Sequence, residues 1–592
     1  MALKLFKGAS LDFFRGKLAG VDALPQLALL ATVTGLITGC VILVFRYLIE
    51  QGFAGLFMDG NYEAFEQLPE LRRLAMALSG ALIIGLLMNR LRPRDRRVGV
   101  VHVMERLSRH QGYMPFKNTL IQFFGGVLAL ASGQSGGREG PSIHLGAAAA
   151  SALGQTFQLP NNSLRTLIAC GTAAAIASSF NTPMAGVIFA MEVVMMEYTI
   201  TSFIPVIIAA VTSTLLTHSV MGSEPAFTIA PLHMESLLET PFIVFAGMVI
   251  GTVAAGYIAL VQRFASLSHW PFWIRALLAG AITGTLALGI PEIMGIGYDT
   301  VSAAMLGQLG LTALFLIVVA KILSSAAASG LGLPVGMIGP TLMIGACVGA
   351  VMAHLGRLFE PGTMSSDGFY VMLGMSAMMA AVLQAPLAAL VSVLELTANP
   401  NVILPAMLII VVATMMTSEV FKSKGVFLRT LGTLGLEYPP SPITQHMQRV
   451  GVTALMDRSF TRLAIDTDRT GCTAALQGSP RWILCEDTDG NIRSLLDASD
   501  LQAHLEDPDA DSNRKSGPAE DPSAEPVNLL QIPGMRRDIA DVDDRATLHQ
   551  AQEALQQSGA EAICVRRHTA PLIRPIIGVI TQTQINNYRE LA

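Results

Sequence analysis

Charged side chains are rare in the first 440 residues of this 592-residue chain and ordinary in the last 152. The first region holds 46 of the 83 Asp, Glu, Lys and Arg residues, about 10% of its positions, and the second holds 37, about 24%. Soluble domains carry roughly 25% charged residues. We therefore expect residues 1–440 to fold within a lipid bilayer and residues 441–592 to fold in water.

The apolar segments of the first region are numerous, short and interrupted. A helix that crosses a bilayer needs about 20 apolar residues, and several segments are shorter or end at Gly or Pro. Irregular backbone at membrane depth is tolerated only inside protein or along a cavity. The pattern predicts an all-α polytopic membrane domain of tilted and broken helices, as in many transporters and channels. The segments run roughly over 25–48, 72–91, 116–132, 142–155, 163–179, 183–198, 201–218, 240–265, 273–291, 311–328, 338–356, 369–396 and 402–421.

Basic residues indicate the orientation of these spans. They precede the first span and follow the second, whereas the loop between the two spans is acidic. The positive-inside rule therefore places the N-terminus and the arginine cluster in the cytoplasm. The N-terminal stretch lacks the apolar core and cleavage site of a signal peptide. The basic residues are Lys4, Lys7, Arg15, Lys17, Arg90, Arg92, Arg94, Arg96 and Arg97, and the acidic ones are Asp59, Glu63, Glu66 and Glu70.

An internal duplication runs through the first region. Residues 137–147, GREGPSIHLGA, match residues 336–346, GMIGPTLMIGA, at an offset of 199. Residues 171–192 match residues 374–395 at an offset of 203. Two blocks in the same order at nearly one offset indicate two large repeats, roughly 25–220 and 240–430. Such repeats usually meet near the bilayer midplane, where the substrate binds.

The duplicated G-x-x-G-P block predicts a site for an anion. Proline suits the first turn of a helix, and the preceding glycines expose backbone N–H groups. A helix N-terminus in a membrane cavity attracts an anion without a full positive charge. Two such termini, one from each repeat, could share one ion. Glu139 lies in the first of them, so its carboxylate would compete with the anion and leave when protonated.

These motifs resemble those of the CLC family of chloride channels and proton-coupled chloride exchangers, in its bacterial form. The family pattern G-[KR]-E-G-P is matched by Gly137–Pro141, and G-x-F-x-P is matched in part by Gly336–Pro340. The FFGG block at Phe123–Gly126 and the N-x-P-x-A-G block at Asn181–Gly186 are also present. Together these motifs cover nearly the whole membrane region.

The resemblance implies a fold, a site and an assembly. It implies that Glu139 gates the anion path, and that backbone amides at Gly137, Arg138, Gly140, Met337 and Ile338 bind the anion. It also implies a homodimer in the plasma membrane of a bacterium, with one pore in each subunit, and a transporter rather than an enzyme. Chloride or a similar small anion is the expected substrate, with protons as possible partners.

Three departures from the family pattern concern hydroxyl and aromatic groups. The family motif G-S-G-I-P corresponds to Arg97–Val101, so Val98 and Gly99 would offer only backbone N–H groups, with Arg97 adding charge. Ile338 replaces the Phe of G-x-F-x-P, and Phe427 replaces a late Tyr that contacts the anion in the family. We expect the central site to bind anions more loosely.

A fourth departure concerns protons. Family exchangers usually place an internal proton-transfer glutamate directly after the position of Glu192, and Val193 stands there. Glu192 also has a repeat partner in Glu395, which favours a structural role over a place in the proton path. The sequence therefore leans to passive, channel-like anion conduction, and the alternative is a proton-coupled chloride antiporter.

The tail of residues 441–592 reads as alternating strands and helices, with strands at 481–487, 561–567 and 575–581 and a helix at 546–558. An acidic linker runs over 506–526. The tail resembles a pair of CBS modules, the usual cytoplasmic domain of the family. In modules that bind adenine nucleotides an Asp often follows the last strand, but Gln584 stands there. Thr581 and Asp500 are the remaining candidate contacts, and we expect no cofactor.

One alternative belongs to another class. The segment Gly133–Gly136 fits the G-x-S-G of intramembrane serine proteases, with Ser135 as nucleophile and His354 as base. His102, His144 and His354 are isolated in the sequence, no metal-binding spacing links them, and no metal site is expected. The six cysteines form no C-x-x-C pair and are expected to be small buried residues. The membrane region has no basic surface typical of nucleic-acid binding.

Overall fold

The computed structural model describes residues 14–20, 23–53, 64–223, 227, 232–359, 364–436, 438, 441–506, 526–567 and 575–590. The chain divides into two compact units. One unit comprises residues 27–157 and 164–439, and the other comprises residues 1–26, 158–163 and 440–592. The first corresponds to most of the predicted membrane domain. The second combines the predicted water-soluble tail with a short N-terminal segment that the sequence did not assign to it.

The membrane unit is built from helices. Seventeen α-helices are assigned in its described residues, and π-helical turns continue three of them at Leu48–Phe53, Ala190–Met195 and Met416–Val420. The helices are α1 Leu24–Tyr47, α2 Glu70–Asn89, α3 Gly99–Arg109, α4 Phe116–Ala131, α5 Glu139–Thr156, α6 Asn161–Phe180, α7 Pro183–Phe189, α8 Ile200–Met221, α9 Thr240–Ala265, α10 Phe272–Gly289, α11 Tyr298–Met305, α12 Leu311–Gly330, α13 Ile338–Phe359, α14 Asp367–Leu383, α15 Pro386–Thr397, α16 Ile403–Met415 and α17 Val426–Thr433.

Helix length and burial match the predicted class. In the part of the chain that the structure describes, nine helical segments are long and apolar enough to cross a bilayer. Others, such as α4, α7, α14 and α15, are shorter. Helix α6 is apolar yet wholly buried, so it lies within the protein. The predicted multi-pass membrane protein of broken helices is confirmed.

The duplication is visible in helix packing. In the first repeat, the backbones of α5 and α6 meet at Gly146 and Gly171, where a Cβ on either glycine would overlap the carbonyl oxygen of the other. In the second repeat, Gly345 and Gly374 bring α13 and α14 together in the same manner. These glycines are related by the offsets of 199 and 203. Equivalent glycines therefore set equivalent close helix contacts in both repeats.

The soluble unit contains two similar α/β modules. In the first, β1 and β3 are parallel and β3 and β4 are antiparallel; in the second, β6 and β7 are parallel and β7 and β8 are antiparallel. Strands β4 and β6 join them into one sheet of order β1-β3-β4-β6-β7-β8. The strands are β1 Phe460–Ala464, β2 Asp466–Asp468, β3 Trp482–Glu486, β4 Ile492–Asp497, β5 Pro526–Asn528, β6 Arg536–Asp543, β7 Ala562–Arg566 and β8 Ile576–Thr581, and the helices are α18 Pro442–Gln448, α19 Val452–Leu455, α20 Arg469–Leu476, α21 Ala498–Glu506, α22 Leu548–Ser558 and α23 Gln582–Glu590.

The predicted strands and helix of the tail are confirmed within one or two residues at most boundaries. Apolar side chains on α22, β7 and β8, among them Leu548, Leu555, Ile563 and Ile580, form the core of the second module. The register shifts at the same place in both modules, between Cys485 and Glu486 and between Val565 and Arg566. Most of the predicted acidic linker, residues 507–525, lies outside the described residues.

Candidate functional site

The site forms where the N-termini of α5 and α13 meet. Just before each helix begins, Gly137 and Gly336 exchange two backbone hydrogen bonds. The Gly137 N–H donates to the Gly336 carbonyl at 2.8 Å, and the Gly336 N–H donates to the Gly137 carbonyl at 2.7 Å. These amides therefore hold the repeats together and are not available to an anion. The predicted convergence of two helix starts is present.

Glu139 fills the gap between these two starts. Its side chain is fully buried. Its carboxylate lies against three glycines, so a Cβ on Gly336 or Gly339 would come within 2.9 Å of a carboxylate oxygen, and one on Gly137 would collide with it. Among the described residues, neither oxygen has a partner with full hydrogen-bond geometry.

Arg138 points away from the path that an anion would take. Its guanidinium donates to Glu50 at 2.6 Å, and it lies over the rings of Phe180 and Tyr298 at 5.3 and 5.9 Å. It is 5% exposed. Its side chain therefore fixes the start of α5 through a buried ion pair, and any contact of this residue with an anion is left to the backbone.

An inner cavity of about 500 Å³ opens below Glu139. Six predicted anion-site residues line it together, although they come from the starts of four helices, α3, α5, α13 and α17. Arg96, Arg97 and Arg275 make its wall basic, and Glu105 pairs with Arg97 there. A basic wall concentrates anions at the inner end of the path. The six predicted residues are Val98, Gly99, Gly140, Met337, Ile338 and Phe427.

The start of α3 differs from the expectation. The Gly99 N–H, predicted as an anion donor, donates instead to the Gln122 side-chain oxygen at 2.7 Å. Gln122 also donates to the Pro334 carbonyl at 3.1 Å. It thus ties α3 to the segment before α13, and the Gly99 N–H is occupied by this contact. The sequence signal for this link was a polar residue, Gln122, directly before the FFGG block.

Lys321 is a buried cation that the sequence analysis missed. It is fully buried in α12. Its ammonium donates to carbonyls of the 293–296 loop, including Gly295 at 3.0 Å, and Gly295 also accepts from the Gly136 N–H. One Lys inside an otherwise apolar 20-residue helix was the available signal, because such a charge is costly unless it has a function.

Glu192 and Glu395 perform the same task in the two repeats. Glu192 accepts from the amides of Leu387 and Ala388 at 3.2 and 2.6 Å, at the start of α15. Glu395 accepts from the amides of Met184 and Ala185 at 2.9 and 2.7 Å, at the start of α7. Each repeat therefore caps a helix of the other, a geometry that favours the structural role. Val193 is buried and apolar.

Two of the histidines that are isolated in the sequence meet in the structure. His102 Nδ1 and His144 Nε2 are 2.8 Å apart, which corrects the description of them as isolated. His354 is different, since its Nδ1 bonds the Ala350 carbonyl of its own helix. In the described residues, no group of three potential metal ligands occurs.

The protease geometry is absent. Ser135 lies just before Gly137, which is joined to the N-terminal end of α13. His354 lies 16 residues along α13 from Ile338, a rise of about 24 Å. A base at that distance cannot activate the Ser135 hydroxyl. The structure therefore gives the intramembrane protease alternative no support.

The candidate nucleotide residues of the tail have structural partners. The Gln584 side chain accepts from the Thr581 amide at 2.9 Å, and the Thr581 hydroxyl accepts from the Gln584 amide at 3.4 Å and so caps α23. Asp500 accepts from the Met535 amide at 3.2 Å. Burial raises the pKa of the Cys564 thiol to about 12, so this cysteine is unreactive at neutral pH. Cys40 is exposed on α1, which corrects the expectation that all six are buried.

Known proteins resemble this chain over its membrane unit. A family model described as voltage gated chloride channel matches residues 80–418. The voltage-gated ClC-type chloride channel ClcB of Citrobacter koseri is 30% identical over 413 residues, which cover 67% of this chain and 97% of that relative. The H+/Cl− exchange transporter ClcA of Vibrio cholerae is 30% identical over 295 residues, 48% of this chain and 63% of that relative. The crystal structure of a slow cyanobacterial Cl−/H+ antiporter has the same fold, with a TM-score of 0.62 at 24% identity over 69% of this chain and 97% of that chain.

Proposed function

Because this chain belongs to the voltage-gated chloride channel (CLC) family, we propose that it exchanges chloride for protons across the membrane and that Glu139 couples the two ions. The carboxylate fully buried between the starts of α5 and α13 carries this proposal. It occupies an electropositive place that suits an anion, directly above a basic inner cavity. A chloride and the ionised carboxylate therefore compete for one place, and protonation of Glu139 releases the place to chloride.

Coupled exchange is better supported than the passive conduction to which the sequence leans. An exchanger must not open to both sides at once, and a fully buried gate suits that requirement. The Vibrio cholerae relative is named as an exchange transporter, and the cyanobacterial fold neighbour as an antiporter. Passive conduction stays the second candidate, because Val193 replaces the usual internal carboxylate and the Citrobacter koseri relative is named as a channel.

The proposed working unit is a homodimer with one transport path in each subunit, and its soluble tail is a CBS-like pair. The parallel-then-antiparallel strand pairs repeated in β1–β4 and β6–β8 support the paired modules. Chemical cross-linking in liposomes, followed by measurement of the cross-linked mass, tests the dimer. A species of twice the chain mass is expected, and a monomer under every condition would contradict it.

The test of exchange uses the full chain in proteoliposomes. The reversal potential is measured at a fixed chloride gradient, first at equal pH and then across a pH gradient. Exchange predicts that the reversal potential moves with the pH gradient, because protons carry part of the coupled charge. A potential that stays at the chloride equilibrium value would reject exchange and leave passive conduction. No chloride flux at all would reject anion transport.

A further inference from the structure

His102 and His144 form a buried pair beside the anion path. His102 lies on α3 and His144 on α5, and their ring planes are nearly parallel, with 5.1 Å between the ring centroids. The Nδ1 of His102 and the Nε2 of His144 are 2.8 Å apart, within hydrogen-bond distance. The side chains are 4% and 0% exposed. Two imidazoles buried in contact need a proton shared between them, because two facing lone pairs would repel.

The outer nitrogens of the pair differ in their surroundings. His102 lines the inner cavity, which exceeds 400 Å³ and therefore has room for water. His144 Nδ1 is buried and, among the described residues, has no hydrogen-bond partner. A buried ring nitrogen without a partner is costly, so it calls for an explanation beyond packing. The pair thus runs from a water-filled space to an unused nitrogen inside the protein.

The unused nitrogen lies on the helix that carries the gate. His144 follows Glu139 by five residues on α5, which separates their Cα atoms by about 9 Å. It follows Gly140 by four residues and so shares the helix face of that glycine, which lines the inner cavity. Proton transfer between the ring and the carboxylate therefore requires bridging water.

We propose that His102 and His144 are the internal proton-transfer group of this transporter. They would replace the internal glutamate that family exchangers usually carry at the position of Val193. The inference rests on the proposed exchange. It adds a proton route to that mechanism, because the pair lets protons pass beside the anion path rather than through it. Neutral imidazole suits the task, since it accepts a proton at one nitrogen while it releases another from the second.

The transfer balances in protons and charge. In one tautomer of the pair, His102 Nδ1–H donates to His144 Nε2, and His144 holds its own proton on Nδ1. A proton from cavity water binds His102 Nε2, the shared proton moves to His144 Nε2, and the Nδ1 proton leaves toward Glu139. One proton enters and one leaves, and both rings end neutral. For the next proton to pass in the same direction, each ring exchanges its Nε2 proton for one on Nδ1 with water, because moving the protons back along the pair would reverse the transfer.

Other charged groups around the pair set its working range. Arg97, Glu105 and Arg106 lie on or next to α3, and Arg97 is paired with Glu105. Arg429 lies on α17, which packs against α3, and donates to Ser423. Glu192, in the π-helical turn against α3, caps α15. These carboxylates already have partners, so the two rings are the neutral groups placed to pass protons between cavity and gate.

The test compares proton and chloride movement in the same proteoliposomes. His144→Gln and His102→Gln keep a side chain that can hydrogen-bond the remaining ring, yet an amide does not relay protons. His354→Gln is the matched control, because that ring bonds the Ala350 carbonyl of its own helix. We expect both test variants to lower chloride-driven proton uptake by about 100-fold, the usual size of a lost acid–base group. Chloride flux should stay within about threefold of wild type, well below that loss.

The outcomes separate this inference from the proposed function. Wild type that moves chloride without protons would reject exchange, and the relay would fall with it. Wild-type proton coupling in both histidine variants would overturn the relay and leave exchange standing. Variants that lose chloride flux and proton uptake to the same extent would also overturn it, since they would assign the pair to packing. Loss of proton uptake in His354→Gln would contradict the specific role of the pair.

Discussion

The two repeats start their central helices with the same backbone and different side chains. Gly137 and Gly336 make identical reciprocal hydrogen bonds, and Pro141 and Pro340 occupy the same turn. Two residues after these glycines, however, the first repeat carries Glu139 and the second carries Ile338. The backbone symmetry builds a place for an anion between two helix termini. The difference in side chains places one proton-binding group there, on one side only.

At another matching position, duplication has kept the same side chain in both repeats. Glu192 and Glu395 are retained in both repeats, and each caps a helix of the other repeat. A carboxylate needed for the scaffold occurs twice, whereas a carboxylate that competes with the anion occurs once. Symmetry in a duplicated transporter therefore indicates structure, and a break in symmetry indicates the chemistry of transport.

The largest expected effect comes from removing the unique carboxylate. Glu139→Gln keeps the size of the side chain but cannot release a proton. We expect chloride-driven proton uptake to fall by about 100-fold or more, and chloride flux to lose its dependence on pH. Proton and chloride fluxes in proteoliposomes measure both. Glu395→Gln, the same change in the scaffold, is the control and should stay coupled. A Glu139→Gln protein that still transports protons would contradict the claim that Glu139 is the proton-binding group between the two helix starts.

The next effect concerns the glycines that both repeats share. Gly146→Ala and Gly345→Ala each place a Cβ against a carbonyl oxygen of the neighbouring helix. We expect each to lower the free energy of unfolding by about 2–3 kcal/mol, and by similar amounts, because overpacking forces the helices apart. Thermal unfolding in detergent measures this.

Gly432→Ala serves as the control for these substitutions, because a Cβ on this helical glycine meets open space. It should be neutral or stabilise the protein by about 0.5–1 kcal/mol. Strong destabilisation by only one of the two test variants would show that the repeats do not share this contact.

A smaller effect should follow from adding a hydroxyl to the site between the two helix starts. Phe427 lines the inner cavity. Phe427→Tyr adds a donor for the anion, and we expect chloride affinity to rise about tenfold, equivalent to roughly 1.4 kcal/mol. Titration calorimetry on purified protein measures the affinity. Phe421→Tyr, which changes an exposed ring, should leave the affinity unchanged. Equal affinity in all three proteins would mean that the site does not use this ring.

The smallest effect tests the symmetric glutamates. Glu192→Gln and Glu395→Gln each keep one acceptor but lose the charge at a helix N-terminus. We expect each to cost about 1 kcal/mol of stability in thermal unfolding, with proton coupling intact. Uncoupling by Glu192→Gln alone would break the equivalence and place Glu192 in the proton path.

Much of the architecture could be predicted because it depends on residue composition and on the internal repeats. The change in charge density near residue 440 predicts the membrane and soluble parts, and the offset of 199 predicts the meeting of Gly137 and Gly336. Several site features could not be predicted. Gln122, Lys321 and the pairing of His102 with His144 depend on contacts between helices far apart in the chain, and no local pattern encodes those contacts.

The sequence by itself determined the environment, the duplication and the residues able to bind an anion or a proton, since these depend on residue type and spacing. Tertiary structure alone decided which of them act together. It gave the Gly99 amide to Gln122 and the Arg138 charge to Glu50, and it buried Glu139 between three glycines. The physical reason is that a polar group at membrane depth must find a partner, and the fold decides which partner lies within reach.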